Sequence, residues 1–392
     1  MNIGIISFAF DRENGQGLVN CEVAAAALRR GHHVTLFCVT VDPELAASPN
    51  VTVVPLGTCK LPSQLFRDQV LALRATLAVA RRRHELDLVV CNGYVMWGRS
   101  DINSVHFLHH SWLASPSHPW RIRRTLDSAY RWLYSAANCL LERHALNRTE
   151  HIITVSERVR QDILALGDSP GKVTTIYNGV DIAQFRPGPS ERERFGLPKD
   201  RTIGIFVGDI RTYRKNLDSV LKALVRVPDM HLVILGNLEG SPFPALANSL
   251  GVADRCHFLG FFNLDVLPTL FRSANFFVFP SRYEVCSLVL LQAAAIGLPI
   301  ITARPAGGAE LFAPDAALIG DDPEDIDWLA DAMTRLRDDP ELAARLGRSA
   351  QTIAERQTWA AATAHYLDIF EQIASGRSVR SAEAGLGLQK GV

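Results

Sequence analysis

A carboxylate at Glu284 and an amide at Gln292 stand eight positions apart across an expected strand-to-helix junction. Eight residues is a little over two helical turns, so the spacing predicts both groups on nearly one face. A carboxylate accepts hydrogen bonds from hydroxyls, an amide both accepts and donates, and a nearby helix N-terminus offers free backbone N–H groups to phosphates. The surrounding run VFPSRYEVCSLVLLQAAAIGLPIITARPAGGAE reads as the end of a buried strand (276–279), a Pro280-Ser281 turn and an acidic loop tip. An apolar helix follows, then a Gly297-Leu298-Pro299 break, a second strand (300–302) and a Gly307-Gly308 turn leading to Glu310. Strand, polar loop, helix, strand is the parallel-sheet unit whose loops at the strand C-terminal ends bind ligands.

Other segments carry chemistry of their own. Between Val207 and Asn216 the cations Arg211, Arg214 and Lys215 fall within five residues at an expected strand end, just before a helix whose apolar positions begin at Leu217. Clustered cations beside a helix N-terminus make a cradle for a diphosphate. His106, His109 and His110 end another expected strand, at 105–108, where alternation places His106 and His110 on one side and His109 opposite if the strand continues. No acidic ligand or regular spacing accompanies them, so a metal site is not expected. The loop Asn14-Gly15-Gln16-Gly17 follows the first strand and would let backbone approach a ligand closely. Asn20 stands where a dinucleotide fingerprint needs its third glycine, which argues against a two-lobed dehydrogenase.

Positioning these groups requires two domains. A chain of 392 residues, 47% hydrophobic and 21% charged, is too long for one ordinary core. Apolar strands at 3–8, 34–39, 51–55, 86–91, 105–108 and 152–155 alternate with helices, and the plan repeats at 203–207, 232–235, 256–259, 276–279, 300–302 and 317–319. Strands apolar throughout argue for parallel sheets covered on both faces. Lys plus Arg outnumber Asp plus Glu 19 to 15 over residues 1–180, and the balance reverses, 22 to 26, beyond them. That tilt is too small for a nucleic-acid partner but suits an anionic surface or acceptor near the first half. The seven scattered cysteines, without a C-x-x-C pair, read as reduced thiols of a cytoplasmic protein. Neither a signal peptide nor an apolar run able to span a bilayer is seen. The helical stretch expected over 120–147 mixes arginines (121, 123, 124, 131) with aromatics, a composition suited to peripheral contact with an anionic membrane. Residues 375–392 lack apolar periodicity and are expected to be disordered.

The whole pattern resembles the retaining glycosyltransferases of family four, which have the two-lobed GT-B fold. Pro280, Ser281 and Glu284 match that family's donor-binding segment, while its Gly-Phe-Gly has become Val285-Cys286-Ser287 before Leu288, and its second Glu is Gln292. Lys215-Asn216 matches the family's phosphate motif after Gly208, with Asp209 where an Arg usually stands. The resemblance therefore implies Arg211 and Lys215 on the phosphates, with Arg214 as the alternative cation. It also implies a glycine loop (Gly15, Gly17) facing those phosphates, His109 bonding the donor sugar, and Phe261 near the nucleobase. Glu284 would hold sugar hydroxyls and Gln292 the ribose. His106, His110 and Glu310 are further candidates, and Asn178 to Asp181 would shape a hinge. Lobes at 1–183 (acceptor side) and 184–357 (donor side) are expected, with a helix at 358–374 returning to the first lobe and the donor in a cleft between them. The implied reaction moves a sugar from a nucleoside diphosphate, expected to be UDP, to the hydroxyl of a glycan, lipid-linked or small-molecule acceptor. Retention, no metal and no further cofactor complete that expectation. Val285-Cys286-Ser287 and Gln292 also fit a silent GT-B protein that binds or activates another transferase, and a GT-B epimerase is a third reading.

Overall fold

The computed structural model describes residues 1–12, 15–262 and 264–376, so Asn14 and the expected tail beyond 376 lie outside the described residues. The described residues divide into two compact units, one within 1–114, 124–176 and 362–376, the other within 115–123 and 177–361. Each is built on one parallel sheet. In the first unit seven strands run in the spatial order Val51–Pro55, His33–Cys38, Asn2–Ile6, Leu88–Cys91, Ser100–Val105, Thr149–Thr154 and Val173–Thr175. In the second, six strands run in the order Cys256–Gly260, Met230–Leu235, Thr202–Val207, Phe276–Phe279, Ile300–Ala303 and Leu318–Gly320. Strands such as Phe276–Phe279 are buried along their whole length, as a sheet covered on both faces requires. Phe206, Phe271, Phe276, Phe277 and Phe279 fill the second core, and each fully buried side chain of this kind stabilises the fold by about 1.5–3 kcal/mol.

Local signals set several boundaries. The first long helix, Gly15–Arg29, stops before Gly31, whose φ of +83° is the left-handed conformation that ends helices. Ser156 accepts from the Val159 backbone N–H and starts the helix Glu157–Ala165.

Elsewhere the structure departs from the expectation. The strand expected at 105–108 is Ser100–Val105, and a helix, His109–Ala114, begins where alternation was to continue. Its start is fixed by Glu142, whose two carboxyl oxygens accept from the backbone N–H groups of His109 and His110. Gly15 and Gly17 lie in the first turn of a helix rather than in a loop. At Gly17 a side chain would collide with Asp11, so the glycine serves close packing of the turn that precedes it. The stretch 120–147 is two helices, Pro119–Ile122 and Leu126–Asn147, because Thr125 and Ser128 exchange side-chain-to-backbone bonds in a capping box that opens the second.

Candidate active site

Two groups of polar side chains, one in each unit, assemble at strand ends. In the second unit the strand Thr202–Val207 runs into Gly208 and a short 3-10 turn, Tyr213–Lys215, ahead of the helix Leu217–Val225. Lys215 reaches the carboxylate of Glu284 and forms an ion pair in which both side chains are 13% exposed. Arg214 stands on the other oxygen of that carboxylate, Nη1 to Oε1 3.6 Å. The Lys215 ammonium also lies 5.2 Å from the centre of the Phe279 ring. Burial, reinforced by the Arg214 guanidinium, pushes the Lys215 ammonium well below the ordinary lysine range, against the opposing pull of Asp209. An anion brought to Nζ would counter that push.

Arg211, by contrast, is exposed and held by Asp209, Nε to Oδ1 2.9 Å. The structure brings Arg214, not Arg211, together with Lys215 and Glu284. Asn216 adopts a left-handed φ of +67°, and its amide donates to the carbonyls of Pro280 (2.9 Å) and Pro323 (2.6 Å). One side chain thus ties the cation turn to two other loops. Arg282 reinforces the same junction through a two-pronged pair with Asp218 (2.7 and 2.9 Å), a network with no signal in residue spacing.

Glu284 lies outside the helix, which begins at Leu288, so the face-sharing expected from its spacing to Gln292 does not arise from helical geometry. Glu284 instead forms a parallel bridge with Ala306. The Glu284 N–H donates to Pro305 O (3.3 Å), Gly307 N–H to Glu284 O (3.1 Å) and Ser287 N–H to Gly307 O (2.8 Å). Gly307 must be a glycine here, since a Cβ would fall 2.0 Å from the Val285 carbonyl oxygen. Val285 and Ser287 are buried in this contact, and burial pushes the Cys286 thiol up to about 12, which keeps it neutral. Gln292 is buried in the helix Leu288–Ile296, and its Oε1 has no hydrogen-bond partner among the described residues. A buried acceptor in that state suits a ligand hydroxyl. Glu310 closes its own turn by accepting from the Gly308 N–H at 2.8 Å, and Phe261 is 75% exposed.

In the first unit a cavity of about 320 Å³ opens at the C-terminal ends of the strands, with Gly17, Asp68, Asn92, Tyr94, His106, His109 and Tyr134 in its lining. His109 is buried between rings: its centroid is 5.3 Å from Tyr94, 4.9 Å from Phe107 and 5.4 Å from Tyr134. Its Nε2 is 3.3 Å from the Tyr94 hydroxyl. His106 bonds Ser104 through Nε2 (3.0 Å), and burial pushes it down to about 4, so it is a neutral imidazole at pH 7. His110 is exposed, with its backbone N–H on Glu142. Sequence reasoning passed over Asp68, Tyr94, Tyr134, Asn138 and Glu142, because they come from three separate segments and share no motif. Among the described residues no group of three or more His, Cys, Asp or Glu side chains is arranged to hold a metal ion.

A family profile described as Glycosyltransferase Family 4 matches residues 13–184, and one described as Glycosyl transferases group 1 matches residues 189–353. The chain belongs to this glycosyltransferase family. Among its relatives, D-inositol 3-phosphate glycosyltransferase 2 of Catenulispora acidiphila is 31% identical over 267 residues, covering 63% of this chain and 62% of that one. D-inositol 3-phosphate glycosyltransferase of Mycolicibacterium paratuberculosis is 33% identical over 220 residues, covering 53% and 49%. The matches thus span about half to three-fifths of the relatives' length. Among solved structures, sucrose-phosphate synthase from Thermosynechococcus elongatus aligns with a TM-score of 0.80 at 20% identity, covering 96% of this chain and 99% of that chain. WaaG, a glycosyltransferase involved in lipopolysaccharide biosynthesis, aligns at 0.75 and 19% identity, covering 94% and 99%. These likenesses give the fold: GT-B, two Rossmann-like lobes.

Proposed function

We propose that this family member moves a glycosyl group from a nucleoside diphosphate sugar, a UDP-sugar first among them, to an acceptor hydroxyl with retention at the anomeric carbon. The observation that carries the reading is the pairing of Lys215 and Arg214 against Glu284 beside the end of the strand Thr202–Val207. Departure of a diphosphate builds negative charge on its oxygens, and preorganised cations stabilise that charge more in the transition state than in the ground state. Lys215 and Arg214 take that role, in place of the pair Lys215 and Arg211 that the sequence suggests. Glu284 accepts from sugar hydroxyls, and Gln292 from the ribose through its unpartnered Oε1. Family likeness supports His109 as a hydrogen-bonding group for the donor sugar. A structure of HepE from Anabaena holds UDP and glucose, which makes UDP-glucose the first donor to try. The names of the relatives make a phosphorylated inositol the first acceptor to try.

Thermal unfolding with UDP, GDP and their sugars tests donor binding, because a ligand specific to the folded state raises Tm. We expect a UDP-dependent rise in the wild type that Lys215→Ala abolishes, and a product whose anomeric proton coupling matches that of the donor. No rise with any nucleoside diphosphate at millimolar concentration would reject the reading. Exposed Leu126, Trp132 and Leu133 next to Arg131 support peripheral contact with an anionic membrane. Flotation with phosphatidylglycerol vesicles tests this, and equal recovery with neutral vesicles would refute the electrostatic part. Among the described residues no helix is long and apolar enough to cross a membrane.

A further inference from the structure

A file of hydrogen bonds runs from the surface of the first unit to His109. Arg67 Nη2 donates to Gln64 Oε1 at 3.0 Å, and Gln64 Nε2 donates to Asp68 Oδ1 at 3.3 Å. The other Asp68 oxygen accepts from the Tyr134 hydroxyl at 2.7 Å. Tyr134 and Tyr94 share a bond of 3.0 Å, and Tyr94 meets His109 Nε2 at 3.3 Å. The direction of every bond follows from its two ends. A guanidinium only donates, so the Gln64 carbonyl must face Arg67 and its NH₂ must face Asp68. An ionised Asp68 only accepts, so Tyr134 spends its single hydrogen there. The bond between the tyrosines then needs the Tyr94 hydrogen, and the Tyr94 oxygen is left to accept. Asn138 Nδ2 fills one of its acceptor sites at 3.0 Å. The same amide nitrogen lies 3.5 Å from His109 Nε2, too long to compete with the nearer oxygen.

We propose that Asp68 is a positioning residue that acts through Tyr134 and Tyr94 to hold His109 as its Nε2–H tautomer, which makes Nδ1 the lone-pair nitrogen. A neutral imidazole in that state accepts a substrate hydroxyl hydrogen at Nδ1 and cannot donate from it. Asp68 is buried while the amide and guanidinium that orient it reach solvent, so the polarity of a buried ring is set from the surface. The statement about the tautomer stands independently of the reaction; only its effect on turnover rests on the glycosyl-transfer reading.

Asp68→Asn reverses the file. Arg67 keeps the Gln64 NH₂ facing position 68, so the new amide turns its oxygen to Gln64 and its NH₂ to Tyr134. Tyr134 then donates to Tyr94, and Tyr94 to His109 Nε2. Tyr134→Phe gives the same reversal by another route, since Tyr94 loses its acceptor and turns its hydrogen to the ring. The test is ¹⁵N NMR of the full chain labelled at histidine, with the His109 ring assigned by its loss in His109→Gln and folding checked by circular dichroism. We expect a protonated Nε2 in the wild type and a protonated Nδ1 in both variants. A wild-type ring protonated at Nδ1, or folded variants that keep Nε2–H, would overturn the proposal. Should Asp68→Asn not fold, Tyr134→Phe reads the same outcome. Transfer should fall about tenfold in each variant, the effect of one misdirected buried hydrogen bond. A reversed tautomer with unchanged transfer would uphold the file and remove His109 from the reaction.

Discussion

The two candidate sites, one in each unit, solve the holding of polar groups in opposite ways. In the second unit the side chains are charged, contiguous in sequence and fixed by backbone: Arg214 and Lys215 on one turn, Glu284 on a loop zipped to the loop at 305–308. In the first unit they are mostly neutral, distant in sequence and fixed by one another through rings and hydroxyls. A site for a charged leaving group needs fixed countercharge, which local turns supply. A site that discriminates hydroxyls needs donors and acceptors of known direction, which a network supplies.

Substitution at the charged half gives the largest effect. Lys215→Ala or Glu284→Ala is expected to lower turnover by about 10²–10³, the loss typical of removing one preorganised electrostatic partner. Steady-state rates with a UDP-sugar check this, and near-wild-type turnover in either variant would remove the charged half from the chemistry.

The neutral half is better probed through stability. Burial pushes the Glu142 carboxyl up to about 8, against the backbone N–H groups of His109 and His110, from an ordinary 4.5. The folded state therefore holds its proton more tightly than the unfolded one. The stabilisation is complete below pH 4.5 and is lost as pH rises to about 8, by a few kcal/mol. Tm measured across this range should fall with pH in the wild type, and the slope should flatten in Glu142→Gln. Equal slopes in the two proteins would contradict a buried, proton-holding Glu142.

Within the charged half, Arg214 and Arg211 form an internal control. Arg214→Ala should weaken UDP binding by about ten- to a hundredfold, as loss of a charge-assisted bond of about 1.5–3 kcal/mol does. Arg211→Ala should change it by less than about threefold, because a solvent-exposed ion pair contributes little. Calorimetric titration with UDP separates them, and the reverse order would restore the assignment drawn from spacing. Apart from the Arg211 control, the smallest effect is expected at Gln292, where Gln292→Ala should cost about two- to tenfold in UDP affinity, the range of a neutral hydrogen bond.

These contrasts also explain what the sequence disclosed. Alternating apolar strands revealed two parallel sheets, since a strand buried on both faces writes its burial into consecutive residues. The cation turn and the run from Pro280 to Gln292 were legible because their groups are neighbours in the chain. The choice between Arg211 and Arg214 was not, because it depends on Asp209 capturing the first guanidinium while Glu284, seventy residues on, faces the second. The file from Arg67 to His109 left no trace in spacing. Its members come from helices at 64–82 and 126–147 and from a turn at 94, and only the sheet brings them together. The setting of His109 differs from the expected strand, because a helix start fixed by a distant carboxyl group looks like the tail of a strand.

The amide of Asn216 has a consequence for how a ligand would be met. By bonding the carbonyls of Pro280 and Pro323 it joins three strand-end loops at one atom. Loops that would otherwise sample many shapes in the free protein are already ordered, so their conformational entropy is lost once, when the chain folds. A ligand arriving there finds a preformed surface, and its affinity is not diluted by the work of assembling one.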